Sequence, residues 1–254
     1  VTLLGQNVNS YGRDLALDAR RSGEDIKLRP MFAELLEAVG GVAGIRRVRF
    51  TSPHPKDMRP ETFAAMANTP SVCEHLHYPL QSGSDAVLAA MHRGYTAERY
   101  LEKLVEARRV VPDLAVTSDI IVGFPGETDE DFKATLSLVE QVGFASAYTF
   151  KYSVRPGTPA SEMDDQISEE VKDQRLHRLQ ALIAQQQRAY QDSMVGQTLD
   201  ILVERKGKHP GQMAGKSPHL LAVAFDAPAD YIGHIVKVRI TDSVTNSLVG
   251  RVVE

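Results

Sequence analysis

The sequence has 254 residues, of which 43% are hydrophobic and 24% are charged, as in a folded globular protein. Its formal net charge of −4 argues against a protein that binds nucleic acid through overall basic charge, although it does not exclude a local basic patch. No apolar run approaches the roughly 18 residues of a membrane span. No secretory leader opens the sequence, so the cytoplasm is the expected location.

The sequence contains one cysteine, Cys73. One thiol cannot form an internal disulfide, and it cannot supply the three or four thiolates of a cysteine-rich zinc or iron–sulfur site. We therefore interpret Cys73 as a small hydrophobic residue and predict no metal ligand in this sequence.

Apolar runs typical of strands alternate with helical patterns over residues 1–193. Thr96, Thr128 and Ser168 stand where helices are expected to begin, and Asp131 completes a capping box with Thr128. Such alternation predicts parallel strands joined by crossover helices. We expect an α/β fold, an open or partial β/α barrel with its ligand-binding loops at the carboxyl ends of the strands. The predicted strands are residues 1–5, 46–52, 75–80, 114–123 and 147–152.

The pattern changes near Met194. Short alternating strands follow, without a helical period, at residues 199–204, 220–225, 235–241 and 248–253. A segment of this kind predicts a small all-β barrel of five strands, of the oligonucleotide-binding type. We therefore expect two domains, residues 1–193 and 194–254.

A polar segment follows each strand predicted in the first domain. The first segment is rich in amides, which offer donors and acceptors in fixed directions. The second carries the Ser52 hydroxyl directly before two prolines, Pro53 and Pro55, which stiffen the segment. Gln81 and Ser82 precede a helix cap in the third, and Gly123 and Gly126 of the fourth allow a close approach to the backbone. A phosphate-binding loop would need a lysine and more glycines, so a nucleoside triphosphate site is a poor interpretation.

Taken in order, these segments resemble the radical S-adenosylmethionine (SAM) methylthiotransferases. They are GQNVNSYG, FTSPHP, PLQSGSD, DIIVGFPGET and YSVRPGTPA, at residues 5–12, 50–55, 79–85, 119–128 and 152–160. The first two segments are most similar to the tRNA branch, which converts N6-isopentenyladenosine beside the anticodon into its 2-methylthio form. The branch that modifies a ribosomal protein is the alternative.

The resemblance implies a partial radical SAM barrel with SAM in its mouth. Gln6 and Asn7 are expected near the methionyl group, and Gln81 and Ser82 near the ribose. Val122, Gly123 and Phe124 are expected near the adenine. Asp119 and Tyr152 are further contributors to the cofactor site, and Ser52 is also expected to bind the cofactor.

The final barrel resembles a TRAM domain, an RNA-binding module. Its basic residues are therefore candidates for contacts with tRNA phosphates. They are Arg205, Lys206, Lys208, Lys216, Lys237, Arg239 and Arg251.

Members of this family carry two 4Fe–4S clusters, one held by three cysteines of an N-terminal domain and one by a CxxxCxxC loop. This sequence has neither motif, so we expect it to be the C-terminal part of a longer enzyme, inactive alone and without a catalytic residue. The family chemistry also needs a reducing electron donor, while a stand-alone RNA-binding module is a further alternative. We expect a monomer, although an exposed strand edge near residues 1–4 would favour self-association.

Overall fold

The computed structural model describes residues 1–23 and 29–253. They divide into two units, Val1–Ile183 and Ala184–Glu254. The division falls within the last helix, so the domain boundary near Met194 stays a prediction. Among the described residues, no helix is both long and apolar enough to cross a membrane.

The first unit alternates strands with helices, as predicted. Its strands are β1 (Thr2–Leu3), β2 (Arg49–Phe50), β3 (His75–His77), β4 (Ala115–Val122) and β5 (Ser146–Lys151). Its helices are α1 (Arg13–Arg21), α2 (Phe32–Gly40), α3 (Pro60–Asn68), α4 (Asp85–Ala90), α5 (Ala97–Val110), α6 (Asp129–Val142) and α7 (Glu169–Ser193), the last of which continues into the second unit.

All the strand pairs of the first unit are parallel. β1 pairs with β2, and β3, β4 and β5 form a second sheet in that order. A parallel bridge between Val48 and Val72 joins the two sheets, with a hydrogen bond of 3.0 Å from the Cys73 amide to the Val48 carbonyl. The prediction of a parallel α/β fold is therefore confirmed. Because the strands are parallel, their carboxyl ends lie along the same edge of the sheets.

The core of the first unit lies between the sheet and its helices. Leu76, Ile120 and Val122 on the strands are fully buried, as is Tyr78 directly after β3. Tyr78 stacks on Tyr100 of α5 with ring centroids 4.6 Å apart. Burial of such large apolar side chains supplies the main driving force for this packing. Cys73 is also buried, as expected, and burial raises the pKa of its thiol.

The predicted helix starts are confirmed by hydrogen bonds. Thr128 and Asp131 form the reciprocal capping box of α6, Thr96 caps α5, and Ser168 accepts a bond of 3.4 Å from the amide of Val171. β1 and β2 are shorter than the apolar runs that predicted them. A strand extends only as far as it is hydrogen-bonded to a neighbouring strand, and the sequence alone does not show where that pairing stops. Helix α1 was not predicted, since its polar sequence lacks a long apolar stripe.

The second unit is a closed five-stranded barrel, as predicted. Its strands are β6 (Thr198–Lys206), β7 (Gln212–Lys216), β8 (Ala222–Asp226), β9 (Ile235–Val244) and β10 (Ser247–Val252), in the order β10-β8-β7-β6-β9. β7 was not predicted, because its sequence is short, polar and interrupted by Gly215. That glycine is required for space, since a Cβ there would lie 2.1 Å from the Leu202 carbonyl oxygen.

One predicted barrel strand begins later than expected. Leu220 was placed in a strand, but its φ of 67° puts it in the turn before β8. A leucine in the left-handed region carries backbone strain, and apolar character alone does not show that a residue belongs to a turn.

Candidate functional site

The loops after β1 and β2 are fastened together by a reciprocal pair of hydrogen bonds. The Asn9 amide nitrogen donates to the His54 carbonyl oxygen at 3.0 Å, and the His54 backbone amide donates to Asn9 Oδ1 at 2.8 Å. Asn9 is only 1% exposed, so water competes little for these bonds. The amide-rich run after β1 therefore has a fixed position at the edge of the sheet.

Asn7 presents a buried acceptor in the same loop. Its Nδ2 donates to Asp57 Oδ2 at 2.7 Å, and Arg13 reaches Asp57 Oδ1 at 2.9 Å. Burial acts to raise the pKa of Asp57, but the bond from Asn7 and the charge of Arg13 hold it below its usual value. Asn7 Oδ1 is buried without a hydrogen-bond partner among the described residues. A buried acceptor of this kind is expected to receive a donor from a ligand or water.

Two strand ends carry strained backbone. Ser52 after β2 and Gln81 after β3 have φ values of 57° and 68°, a region that costs a non-glycine residue about 1–2 kcal/mol. Gln81 is held there because its amide donates to the Asp119 carbonyl at 2.8 Å and its carbonyl accepts from the Ile121 amide at 2.9 Å. Such residues cluster at functional sites.

The Ser82 hydroxyl makes hydrogen bonds within the protein. It lies 3.3 Å from Thr135 Oγ1 on α6 and accepts from the Ser84 amide at 3.2 Å. It is fully buried, and Ser84 caps α4. The Ser82 hydroxyl thus joins α4 to α6.

The loop after β4 is closed by Glu127. One carboxylate oxygen accepts from the Gly123 amide at 3.1 Å, and the other accepts from Arg175 of α7 at 2.8 Å. Arg175 also donates to the Glu127 carbonyl and to Asp129. Burial raises the pKa of Glu127, and the Gly123 amide and the charge of Arg175 oppose that effect. This network fixes the turn at the strand end.

Gly123 packs against α7. Its φ is 73°, and a Cβ at this position would lie 2.4 Å from Cγ of Lys172. Lys172 is itself 3% exposed, and its ammonium pairs with Glu169 at 2.9 Å. The glycine therefore lets α7 approach the turn, rather than leaving open space for a ligand.

An apolar cleft lies beside this turn. Phe124 and Tyr152 meet edge to face with ring centroids 5.3 Å apart, and the Tyr152 hydroxyl is buried without a partner among the described residues. Ile121 and Met163 also contribute to the lining of the cleft, whose volume is about 390 Å³. The polar residues of the lining are Tyr152, His92, Arg93 and Thr158. A mostly apolar cleft of this size with a few polar groups suits a small flat ligand.

The other residues predicted to bind the cofactor have varied surroundings. Gln6 is exposed, and the Val122 side chain is buried in the core. Asp119 Oδ2 accepts a hydrogen bond from His77 Nε2 at 3.1 Å. Asn7 with Ser52 and Phe124 with Tyr152 occupy separate parts of the strand-end edge.

The predicted basic residues of the second unit are mostly exposed on its barrel. Lys216 is half-buried, and Lys237 pairs with Asp200 at 3.2 Å. Arg239 on β9 and Arg251 on β10 are cross-strand partners, and both are exposed. Neither makes an ion pair in the described part of the chain. Like charges placed opposite each other repel, so an anion bound between them would be stabilising. The remaining basic residues, Arg205, Lys206 and Lys208, lie at the end of β6 and just after it.

Four residues that hold the strand-end loops of the first unit in place were not predicted from the sequence. Asp57, Glu127, Lys172 and Arg175 were not singled out, although the two cations carry a readable signal. They lie at helical spacing with Leu179 of the apolar stripe of α7, and a cation within such a stripe is expected to have a buried partner.

Two protein-family models match the sequence. Residues 20–139 match the radical SAM superfamily, and residues 192–253 match the TRAM domain. The first match implies an enzyme that uses SAM and an iron–sulfur cluster, and the second indicates RNA binding. Together the two domains fit the methylthiotransferase family in general.

Of the two groups implied by the radical SAM match, SAM and an iron–sulfur cluster, the described residues fit SAM. The unpaired Asn7 oxygen, the buried Tyr152 hydroxyl and the apolar cleft suit SAM. They do not fit an iron–sulfur cluster, because the sequence has one cysteine. The described part also has no group of three or more His, Cys, Asp or Glu side chains that could hold a metal. No residue is therefore assigned to the cluster.

Proposed function

We propose that this chain carries the SAM-binding and RNA-binding parts of a tRNA methylthiotransferase. The reaction adds a methylthio group to C2 of N6-isopentenyladenosine beside the anticodon, in the cytoplasm. The observation that carries the proposal is that the strand-end segments of that family occur in order on a chain that also matches the TRAM domain.

The strand-end edge would hold SAM partly through two buried polar atoms that have no hydrogen-bond partner among the described residues, Asn7 Oδ1 and the Tyr152 hydroxyl. Asn7 Oδ1 is the acceptor proposed for the ammonium of the methionyl group, and Gln81 lies at the strand end proposed for the ribose. Phe124 and Tyr152 would enclose the adenine in the apolar cleft. When bound, SAM supplies the hydrogen-abstracting radical and the methyl group of this chemistry.

The protein's own contribution at this edge is orientation and exclusion of water. Glu127 and Arg175 hold the turn after β4, and the Asn9–His54 pair holds the loop after β1. Rigid supports of this kind keep reacting groups in place without reorganisation during the reaction. The electron donor of the reaction is a further proposed partner, to which we assign no surface.

The second unit would position the tRNA. Arg239 and Arg251 provide an exposed pair of guanidinium groups that form no ion pair in the described structure, although Asp226 on β8 is the register partner of Arg251. Arginine binds phosphate oxygens in a bidentate manner, and phosphate contacts set the register of a protein on RNA. We propose that this pair holds one backbone phosphate near the anticodon.

The tRNA assignment is tested by binding of an anticodon stem-loop. Arg239→Glu and Arg251→Glu should each weaken binding by about tenfold or more at low salt and make it less salt-dependent, because a phosphate contact is lost. Lys133→Glu, an exposed residue of α6, is the matched control with the same change in charge and should bind nearly as wild type.

Two results would redirect the proposal. If the wild-type chain binds a ribosomal-protein peptide and no stem-loop, the ribosomal branch of the family is correct. If it binds RNA but never SAM, even when supplied with the cysteine-bearing region of a relative, a stand-alone RNA-binding module is correct.

A further inference from the structure

An exposed stripe of aromatic side chains runs along β5. Tyr148 and Phe150 are two residues apart in this strand, so they point to the same side of the sheet. Tyr148 is 66% exposed and Phe150 is 50% exposed. Large aromatic side chains are seldom left this exposed side by side without a binding role.

The stripe lies on the side of the sheet away from α7. The intervening residues Thr149 and Lys151 contact that helix: Lys151 pairs with Glu169 and with Asp173, and Gln180 donates to Thr149. The aromatic side is therefore the face that the helical layer leaves open.

A carboxylate stands directly beside the stripe. Asp119 of β4 is the register partner of Tyr148, and Ile121 is the partner of Phe150, so their side chains share one face. The Asp119 side chain is 31% exposed. It offers a partly exposed acceptor next to two aromatic rings.

A hydrogen-bond chain orients this carboxylate. His75 Nε2 lies 3.1 Å from Thr117 Oγ1, which lies 3.1 Å from His77 Nδ1, and His77 Nε2 lies 3.1 Å from Asp119 Oδ2. If each histidine carries its proton on Nε2, every contact has one donor and one acceptor. His77 is thus a positioning residue that holds one Asp119 oxygen and leaves the other for a ligand.

We propose that Tyr148 and Phe150 form a stacking platform for one unpaired purine base of the RNA substrate. Asp119 accepts a hydrogen bond from the exocyclic amine of that base. The inference rests on the RNA substrate of the proposed function, and it assigns Asp119 to the substrate rather than to the cofactor. Unpaired RNA bases are bound by stacking on aromatic side chains and by hydrogen bonds to their edges, and a carboxylate accepts from an exocyclic amine.

The platform is tested with a hairpin RNA that carries 2-aminopurine at one loop position. Stacking quenches the fluorescence of this base, and the protein has no tryptophan to interfere. The wild-type chain should quench it and should bind the hairpin about tenfold more tightly than one with an abasic site, since stacking contributes strongly to affinity.

Matched variants test whether the quenching depends on the two aromatic rings rather than on any substitution at an exposed position. Tyr148→Ala and Phe150→Ala should abolish the quenching and the preference over the abasic hairpin, whereas Tyr148→Phe should keep both. Val105→Ala is the control, because Val105 is 68% exposed on α5, and it should behave as wild type. Should an alanine variant fail to fold, the other variant and the fluorescence of the wild-type complex still decide the question.

The carboxylate is tested with hairpins that carry adenine or unsubstituted purine at the same position. Wild type should prefer adenine by about tenfold, as expected for a hydrogen bond to a charged group. Asp119→Asn should remove this preference, and His77→Phe should reduce it because Asp119 loses its support.

Several outcomes would overturn the inference. Equal binding of intact and abasic hairpins without quenching would show that no base is held on this face, while leaving RNA binding itself established. Quenching that survives both alanine variants would place the base elsewhere, and recovery of the fluorescence on adding excess SAM would assign the platform to the cofactor. Absence of binding to every hairpin would contradict the proposed function as well.

Discussion

At the scale of single residues, the buried ion pair of Arg175 and Glu127 decides whether the turn after β4 is formed. Both residues are almost fully buried, and their side chains meet at 2.8 Å. Removing one partner of such a pair leaves an uncompensated buried charge. This pair should therefore matter far more to stability than any of the exposed ion pairs of the first unit.

Arg175→Ala should lower the free energy of unfolding by about 3–5 kcal/mol. Arg178→Ala is the matched control on the same helix, since Arg178 is exposed and its guanidinium lies over the Phe132 ring at 5.0 Å. It should cost about 1 kcal/mol or less. Equal losses in chemical denaturation would contradict the role given to the buried pair.

His54 predicts a dependence of stability on pH. Burial lowers its pKa, with Arg93, Lys56 and Lys103 acting in the same direction and Asp57 opposing them. His54 Nδ1 accepts the Lys56 amide at 3.2 Å, so protonation breaks that bond. A folded pKa below the unfolded value of about 6.5 gives stability that is present above that value and lost as the pH falls through the folded pKa.

An NMR titration of the His54 ring checks this prediction. Its midpoint should lie below about 6.5, and Asp57→Asn and Lys103→Met should move it in opposite directions, down and up respectively. The loss of stability on acidification should be smaller in His54→Gln. A midpoint above the unfolded value would contradict the burial argument.

The sequence carried part of the information about this site. Asn7 and Gln81 could be selected because polar residues after predicted strands meet at one edge of a parallel sheet. The unpaired oxygen of Asn7 could not be predicted, since it depends on Asp57, fifty positions away. Likewise, the Ser82 contact with Thr135 depends on how two helices pack, which residue spacing does not reveal.

At the scale of elements, α7 acts as a support for the strand-end turn. Gly123 packs against Lys172, and a Cβ added at Gly123 would lie 2.4 Å from Cγ of Lys172. Because Lys172 is nearly buried and ion-paired, its side chain cannot move away freely. The fit between α7 and the turn should thus tolerate no added methyl group.

Gly123→Ala should lower the free energy of unfolding by about 2–4 kcal/mol, combining backbone strain with overpacking. Gly143→Ala is the control, because Gly143 has a similar φ of 62° but open space around its missing Cβ. It should cost about 1–2 kcal/mol from strain alone. A Gly123 variant no less stable than the Gly143 variant would contradict the close packing of α7.

Elements were predictable where local signals agreed with tertiary packing. The capping box at Thr128 and the long buried run of β4 gave a helix start and a strand that the structure confirms. β7 was missed because its stability comes from barrel closure on both sides rather than from its own residues. Helix α1 was missed for a similar reason, since few of its residues are apolar.

At the scale of the whole molecule, the free edge of β1 bears on oligomeric state. β1 is the outer strand of its sheet, and Val1 and Leu4 are 62% and 75% exposed. An exposed apolar strand edge is a template for pairing with a second chain. This chain should therefore self-associate as its concentration rises, despite the monomer expected for the enzyme.

Light scattering after size exclusion tests this expectation. The apparent mass of wild type should increase with concentration. Leu4→Lys should suppress the increase, because a charge directly after an edge strand opposes its pairing with a second chain. Val105→Lys, at a comparably exposed apolar position on α5, should leave it unchanged. A wild-type chain that stays monodisperse at high concentration would contradict the role of this edge.

The most direct test of the proposed function is the nucleoside content of tRNA. We would digest tRNA from a strain that lacks the gene encoding this chain, with and without the gene restored, and quantify 2-methylthio-N6-isopentenyladenosine by mass spectrometry. The proposal predicts that the deletion removes this nucleoside, leaves N6-isopentenyladenosine in its place, and is reversed when the gene is restored. An unchanged level of the 2-methylthio nucleoside in the deletion strain would contradict a tRNA methylthiotransferase function.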